Sequence, residues 1–269
     1  MTHLRCFGPL LLALCIAGSA AAQGRRTYGS DLPTADTWPD EVIRRPLTLA
    51  DGLGELSVPV VLNLTTDQVA KPVFIPARLS YGVTDAVTLS VIHAVGLCLT
   101  GTSNGCPKAY NDVGVEGLFA LVPSGAFQVA LAAAFLVPSI SEPFAMAAGV
   151  GFATRYTAGP LALRIDPQVT FGLNERDAGN RETLAVPVTL QLQLTPNLLF
   201  AVGSGVFGLL DPLLGSFSDN YTIPLGFTAA LTTSRLDLGA QFTFLNVRGS
   251  AGSSATDLRI GQVFAALRL

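Results

Sequence analysis

From Leu56 to the C-terminal Leu269 the chain alternates between apolar residues and small or polar ones. Leu56, Val58, Val60, Leu62 and Leu64 share one parity, and Ser57, Pro59, Val61 and Asn63 the other. A pleated strand imposes this period of two on its faces. The same rhythm predicts further strands near 74–83, 86–97, 112–122, 127–137, 144–157, 161–173, 184–195, 198–209, 221–232, 236–247 and 256–269, twelve in all. Leu184, Val186, Val188, Leu190, Leu192 and Leu194 give the cleanest run, alternating with Ala185, Pro187, Thr189, Gln191, Gln193 and Thr195. Five tight turns, around Thr84, Ser124, Gly159, Pro196 and Ser234, interleave with six mostly longer loops around Asp67, Gly105, Ser141, Asp177, Leu214 and Gly252. Both ends of the repeat then fall on the short-turn side. The objection is proline within strands (Pro59, Pro76, Pro167, Pro187, Pro224), because each removes a ladder donor; bulges or strand boundaries must absorb them.

Composition decides where such a sheet can live. The chain is 49% hydrophobic and 13% charged, against about 25% charged for an average soluble domain. That is too little charge to cover a water-facing surface. Outside the N-terminal leader no run of eighteen apolar residues occurs, so helical spans are not expected. A sheet closed on itself, oily outside and wet inside, meets both constraints. The fold expected is all-β: a transmembrane antiparallel up-and-down β-barrel of about twelve strands, over residues 53–269.

Residues 1–22 read as an export signal. Arg5 supplies a basic start, Leu10 to Ile16 an apolar core, and Ala20 to Ala22 a cleavage site. Cys15 raises a lipoprotein alternative, but Leu14 stands where such signals carry a small residue. Residues 23–52 are charged and proline-bearing, with Arg25, Arg26, Asp31, Asp36, Asp40, Glu41, Arg44 and Arg45 among Pro33, Pro39 and Pro46. This segment is either a periplasmic lead-in or a plug folded back into the lumen.

The chain resembles the bacterial outer-membrane β-barrel proteins over essentially all of 53–269. In that family an alternating terminal strand is the assembly signal, and Val263, Ala265, Leu267 and Leu269 stand in the corresponding places, although the family usually ends in an aromatic residue. Tyr81, Phe127, Phe144, Tyr156, Phe171, Phe200 and Tyr221 fit its interface girdles. The resemblance implies location in the cell outer membrane, with lipid and, through the last strand, the barrel-assembly machinery as partners. It names no solute.

If the aliphatic parity faces lipid, the other lines the lumen. Its candidates are Glu55, Arg78, Thr88, Ser90, Glu116, Gln128, Arg155, Arg164, Asp166, Gln168, Gln191, Gln193, Asp237, Gln241, Asp257 and Arg259. Four arginines against five carboxylates predict weak ion preference; the plainer alternative is that they pair and only brace the wall. Many other inward positions are Gly or Ala, which leaves space.

Catalytic and metal chemistry find little footing. Cys98 and Cys106 flank a Gly/Ser/Asn loop in an exported chain and predict a local disulfide. With His93 the single histidine of the mature chain, no metal site is expected, nor any cofactor. Gly101 to Gly105 spells G-x-S-x-G around Ser103, but no helix pattern follows it. Gly203 to Gly208 spells G-x-G-x-x-G inside an apolar strand and opens no helix. His93 has the parity of the lipid side. The net charge of -3 gives no sign of nucleic-acid binding. The function expected is a passive, weakly selective channel for small solutes, not an enzyme. The alternatives are a non-conducting structural or surface-interaction barrel and, last, a barrel-embedded hydrolase.

Overall fold

The computed structural model describes residues 32–65, 68–212, 215–248 and 256–269. The export signal and the start of the 23–52 segment lie outside them. Within the unit Pro33–Leu269 nearly every element is a strand. The first part of the sheet holds β1 (Gly54–Asn63), β2 (Val73–Ile75), β3 (Arg78–Thr84), β4 (Val87–Ile92), β5 (Leu97–Cys98) and β6 (Val113–Val122). The middle holds β7 (Phe127–Ser139), β8 (Ala145–Ala158), β9 (Leu161–Ile165), β10 (Gln168–Gly172) and β11 (Thr183–Thr195). After β12 (Leu198–Leu209), a one-turn helix, α1 (Phe217–Asn220), precedes β13 (Leu225–Thr232), β14 (Leu236–Phe244) and β15 (Arg259–Arg268).

All pairings are antiparallel between chain neighbours, and β1 closes the ring by pairing with β15 from Glu55↔Arg268 to Asn63↔Ile260. Three pairs of segments (β2 with β3, β4 with β5, β9 with β10) are halves of single interrupted strands, so fifteen segments make twelve staves. The alternation predicted this number. Strand limits agree closely, except that β13 starts at Leu225 instead of near Tyr221, β14 stops at Phe244 short of Val247, and β15 starts at Arg259 instead of near Thr256.

The interruptions are where the prolines go. Ser57↔Arg78 and Val61↔Phe74 lie on one register, which sets Pro59 level with Pro76, so two missing donors share one gap. On β11, Ala185↔Gln168 and Val188↔Ile165 put Pro187 level with Asp166, beside Pro167. There the ladder is mended: Phe152 N–H donates to Pro167 O at 2.9 Å, Thr154 N–H to Asp166 Oδ1 at 3.1 Å, and Asp166 N–H to Pro187 O at 3.1 Å. At the third gap, His93 to Gly96, Asp112 accepts the N–H groups of Ala94, Val95 and Gly96. A buried backbone group without a partner is costly, and each gap supplies one from nearby.

Two faces result. Leu79, Leu89, Val91, Leu190, Leu194, Phe200, Leu231, Leu238, Val263 and Leu267 are all at least 40% exposed on the outside. So much contiguous apolar surface suits hydrocarbon and not water. Tyr81, Phe127 and Tyr156 lie exposed near the short-turn end, Phe144 and Phe171 near the long-loop end. Tyr221 instead lies outside the strands, stacked on Phe217 and beneath Arg248. On the inner face Ser80, Thr88, Ser90, Gln128, Arg155, Gln193 and Asp237 are buried.

Residues 38–53 explain part of that burial. A 3-10 turn over Val42–Arg44 carries Ile43 into a cluster with Ala162, Leu199 and Ala230, flanked by Phe264. Trp38 packs on Leu49, Ala50 and Leu53. Burying Ile43 and Leu53 contributes about 2 kcal/mol each. Leu49 N–H donates to Thr88 Oγ1 and the Thr48 hydroxyl to Asp85 O, both at 2.7 Å. Ala50 O passes so close to Gly82 that a Cβ there would overlap it.

Gly82→Ala should therefore lift the segment from the wall and leave the barrel closed. Trypsin should cut after Arg44 faster, while the heat-modifiable gel shift of the folded barrel persists. An unchanged cleavage rate would contradict this packing.

Candidate functional site

The inner wall at the short-turn end and the segment lying against it form the candidate site. Val42 N–H donates to Gln193 Oε1 on β11, and Val42 O accepts from Arg155 on β8, both at 3.0 Å. Three residues on, Arg45 reaches Asp237 of β14 with bonds of 2.6 and 2.9 Å. Between β8 and β14 stand four staves in one direction and six in the other. So short a stretch of chain can bond to opposite walls only from inside the ring.

Four charge groupings brace this interior. Asp237 accepts from Arg45 and, at 2.5 Å, from Arg268, which also lies 2.7 Å from Glu55. Arg45 gives its remaining donors to the carbonyls of Pro39, Asp40 and Thr233 at 2.9 Å. Arg78 pairs with Glu116 across β4 and donates to Ser80 and Ser90, whose hydroxyls lie 2.8 Å apart. Arg164 pairs with Asp166 at 2.6 Å. Arg155 donates to Gln128 Oε1 at 2.8 Å. It stands level with Arg164 and, among the described residues, has no carboxylate within 4 Å.

The remaining candidates are placed as follows. Gln168 is level with Gly151, and its amide lies over Gly149. Gln191 is level with Ala162 and Ala201, and its Oε1 is buried without a hydrogen-bond partner among the described residues. Gln241 donates to Thr243 at 3.1 Å and faces Gln262. Asp257 and Arg259 do not join the inner set. Asp257 is exposed and precedes β15. Arg259 opens that strand level with Phe244, on the parity of Gly261 and Val263 and opposite to Gln262. Without a bulge, alternation back from Leu269 carries Arg259 outward. The same parity count gives a residue that sequence reasoning missed: Arg268, between outward Leu267 and Leu269, points in. Arg45 had no such signal, since its partner lies 192 positions away.

The motifs set aside in the sequence take plain structural places. Ser103 lies in the 3-10 turn Thr102–Asn104, inside a loop closed by the Cys98–Cys106 disulfide, Cα to Cα 5.8 Å. Gly205 lies in β12 where a side chain would crowd Val186 O. His93 lies in the third gap. Its Nδ1 is 2.7 Å from Ala77 O, which makes that nitrogen the protonated one, and Nε2 accepts from the Tyr110 hydroxyl at 3.0 Å. At the long-loop end, Arg176 pairs with Glu182 and holds its carboxyl below the usual range. Arg181 pairs with Asp211 at 2.9 Å. A lowered carboxylate contributes above its ordinary pKa, and the contribution is lost as pH falls through the lowered value.

No family model matches the chain, and no curated protein does. Solved structures do. An outer-membrane channel from Pseudomonas putida F1 aligns with a TM-score of 0.58 at 12% identity, over 82% of this chain and 97% of that one. The KdgM porin in complex with disordered oligogalacturonate aligns with 0.55 at 6% identity, over 79% and 98%. A second structure of the KdgM porin gives 0.51 at 8% identity, over 79% and 98%. The fold is that of an outer-membrane β-barrel. At these identities the likeness is one of architecture, and this chain's own residues must carry the functional argument.

Asp237→Asn would leave Arg45 and Arg268 facing a neutral amide in a buried site, a loss of about 3 kcal/mol. A lower midpoint in urea unfolding, followed by tryptophan fluorescence, should register it. An unshifted midpoint would mean the grouping is solvated and weak.

Proposed function

We propose that this chain is an outer-membrane channel for small solutes, closed at its short-turn mouth by residues 38–53. The observation that carries the reading is the pair of bonds from Val42 and Arg45 to opposite walls. Beyond the segment, Ala130, Ala132, Ala134, Ala147, Gly149 and Gly151 line the inner parity of β7 and β8. The wall charges, Arg78, Arg155, Arg164 and Arg268 against Glu55, Glu116, Asp166 and Asp237, nearly balance, so an open lumen discriminates weakly among ions. Solutes are the expected partners, and the mechanism is diffusion, with no bond made or broken. A serine or histidine hydrolase is disfavoured because Ser103 and His93 belong to separate structural features, the disulfide loop and the strand gap.

Planar-bilayer recording tests this. The intact protein should conduct rarely, and deletion of residues 23–50 should raise unit conductance several-fold. Silence in both forms would remove the channel and leave the non-conducting structural barrel, which the latched segment also suits.

Charge gives a second expectation. Neutralising Arg155 and Arg164 together to Gln in the deleted form should move the reversal potential in a potassium chloride gradient toward potassium. An unmoved potential would mean these side chains do not border the path.

A further inference from the structure

The inward arginines are unequal. Arg45, Arg78, Arg164 and Arg268 each hold a carboxylate, whereas Arg155 holds two neutral oxygens, Gln128 Oε1 and the carbonyl of Val42. It is 4% exposed, its Nε has no hydrogen-bond partner among the described residues, and it stands level with a second cation, Arg164. A buried guanidinium without a counter-ion, beside a like charge, is an unfavourable arrangement. An anion would improve it, since a charge-assisted bond is roughly twice as strong as one between neutral groups.

We propose that Arg155 is a binding site for a small carboxylate entering the lumen, and that this carboxylate competes with Val42 O and releases the segment. The inference rests on the channel reading and names the class of solute that opens it. β8 runs from the long-loop end to the short-turn end and carries only small residues inward before Arg155, at Ala147, Gly149, Gly151 and Ala153; all four are buried, with the Gln168 amide close over Gly149 and the Pro167 carbonyl close over Gly151. At Arg155 the solute meets a cation whose present acceptors are the neutral Gln128 Oε1 and one peptide carbonyl on a removable segment. When Arg155 turns to the anion, Val42 keeps one bond to the wall, from its N–H to Gln193, besides the bond its carbonyl accepts from Arg45 N–H within the segment's own turn. The neighbouring Ile43 is then held by packing alone, apart from one long contact of its carbonyl with Thr157 at 3.4 Å. The ligand thus removes the bond that fixes the β8 side of the segment, while the Asp237 grouping keeps its other side as a hinge.

Ile43→Cys in the full-length chain provides the readout. Ile43 is 3% exposed, so a maleimide reacts there only when the segment leaves, and Cys98 and Cys106 are tied up in their disulfide. Labelling in liposomes should accelerate several-fold and saturably with gluconate at constant ionic strength, chloride being the comparison anion. The acceleration should vanish with Arg155→Gln and return in part with Arg155→Lys, all forms retaining the heat-modifiable gel shift. A rate indifferent to gluconate, or an acceleration that survives Arg155→Gln, overturns the proposal. Should Ile43→Cys label at once without gluconate, the chain without the cysteine supplies the measurement: gluconate must raise its open probability in bilayers, and Arg155→Gln must abolish the rise. If neither occurs while the form lacking residues 23–50 conducts, the ligand site falls and the channel stands. If that form is silent, the channel reading falls with it.

Discussion

Hydrocarbon offers no hydrogen bonds, and the rest of this structure follows from that constraint. A strand crossing it must find every partner in its neighbours, and the first and last strands must find each other. The β1 to β15 pairing over nine consecutive residue pairs meets that demand. The same rule explains how the barrel tolerates proline. Pro59 shares a gap with Pro76, and Pro187 lies beside Pro167, so missing donors coincide instead of spreading over several ladders. Where a gap still exposes backbone, Asp112 and Asp166 accept the orphaned N–H groups.

Closure also creates an interior in which polar groups must satisfy one another. The inner wall does this with compact ion groupings, and it draws on a part of the chain that belongs to no strand. Arg45 completes the Asp237, Arg268 and Glu55 set, and the Val42 peptide fills the space between Arg155 and Gln193. Gly82 permits the close passage of Ala50. Segment and wall are therefore complementary in charge and in shape, which a loosely tethered lead-in would not require. Arg155 departs from the pattern, a cation served only by neutral acceptors.

Much of the fold was legible because a period of two is a local signal. Twelve strands, the alternation of short turns and long loops, and the inward parity of Arg78, Glu116, Arg155, Arg164 and Gln193 can all be counted from adjacent residues. Arg268 was equally countable and was passed over because it stands among leucines in the terminal strand. Arg259 presents the converse case: it stands on the outward parity of β15, polarity having been allowed to outweigh parity at a strand end. Two of the three strand gaps were foreshadowed by prolines, the His93 to Gly96 gap was not, and which gaps align depends on register between strands. For residues 23–52 the sequence left a lead-in and a plug as alternatives and could name no contact: the bonds of Val42 and Arg45 span 113 to 192 positions, and no local pattern encodes them. His93 shows the same limit, because its parity put it on the outer face while a break in the strand gave it partners.

The central claim is that the chain's own N-terminal segment lies inside its barrel, against the wall at the short-turn end. A cysteine pair, Ile43→Cys with Ala162→Cys, tests it most directly, because the two side chains share one buried cluster. Allowed to oxidise in air once folded in liposomes, the pair should form a disulfide within the monomer and give a band that shifts on reduction under denaturing electrophoresis. An uncross-linked chain, alongside efficient cross-linking of a pair set across β1 and β15, would place the segment outside the lumen and contradict the account.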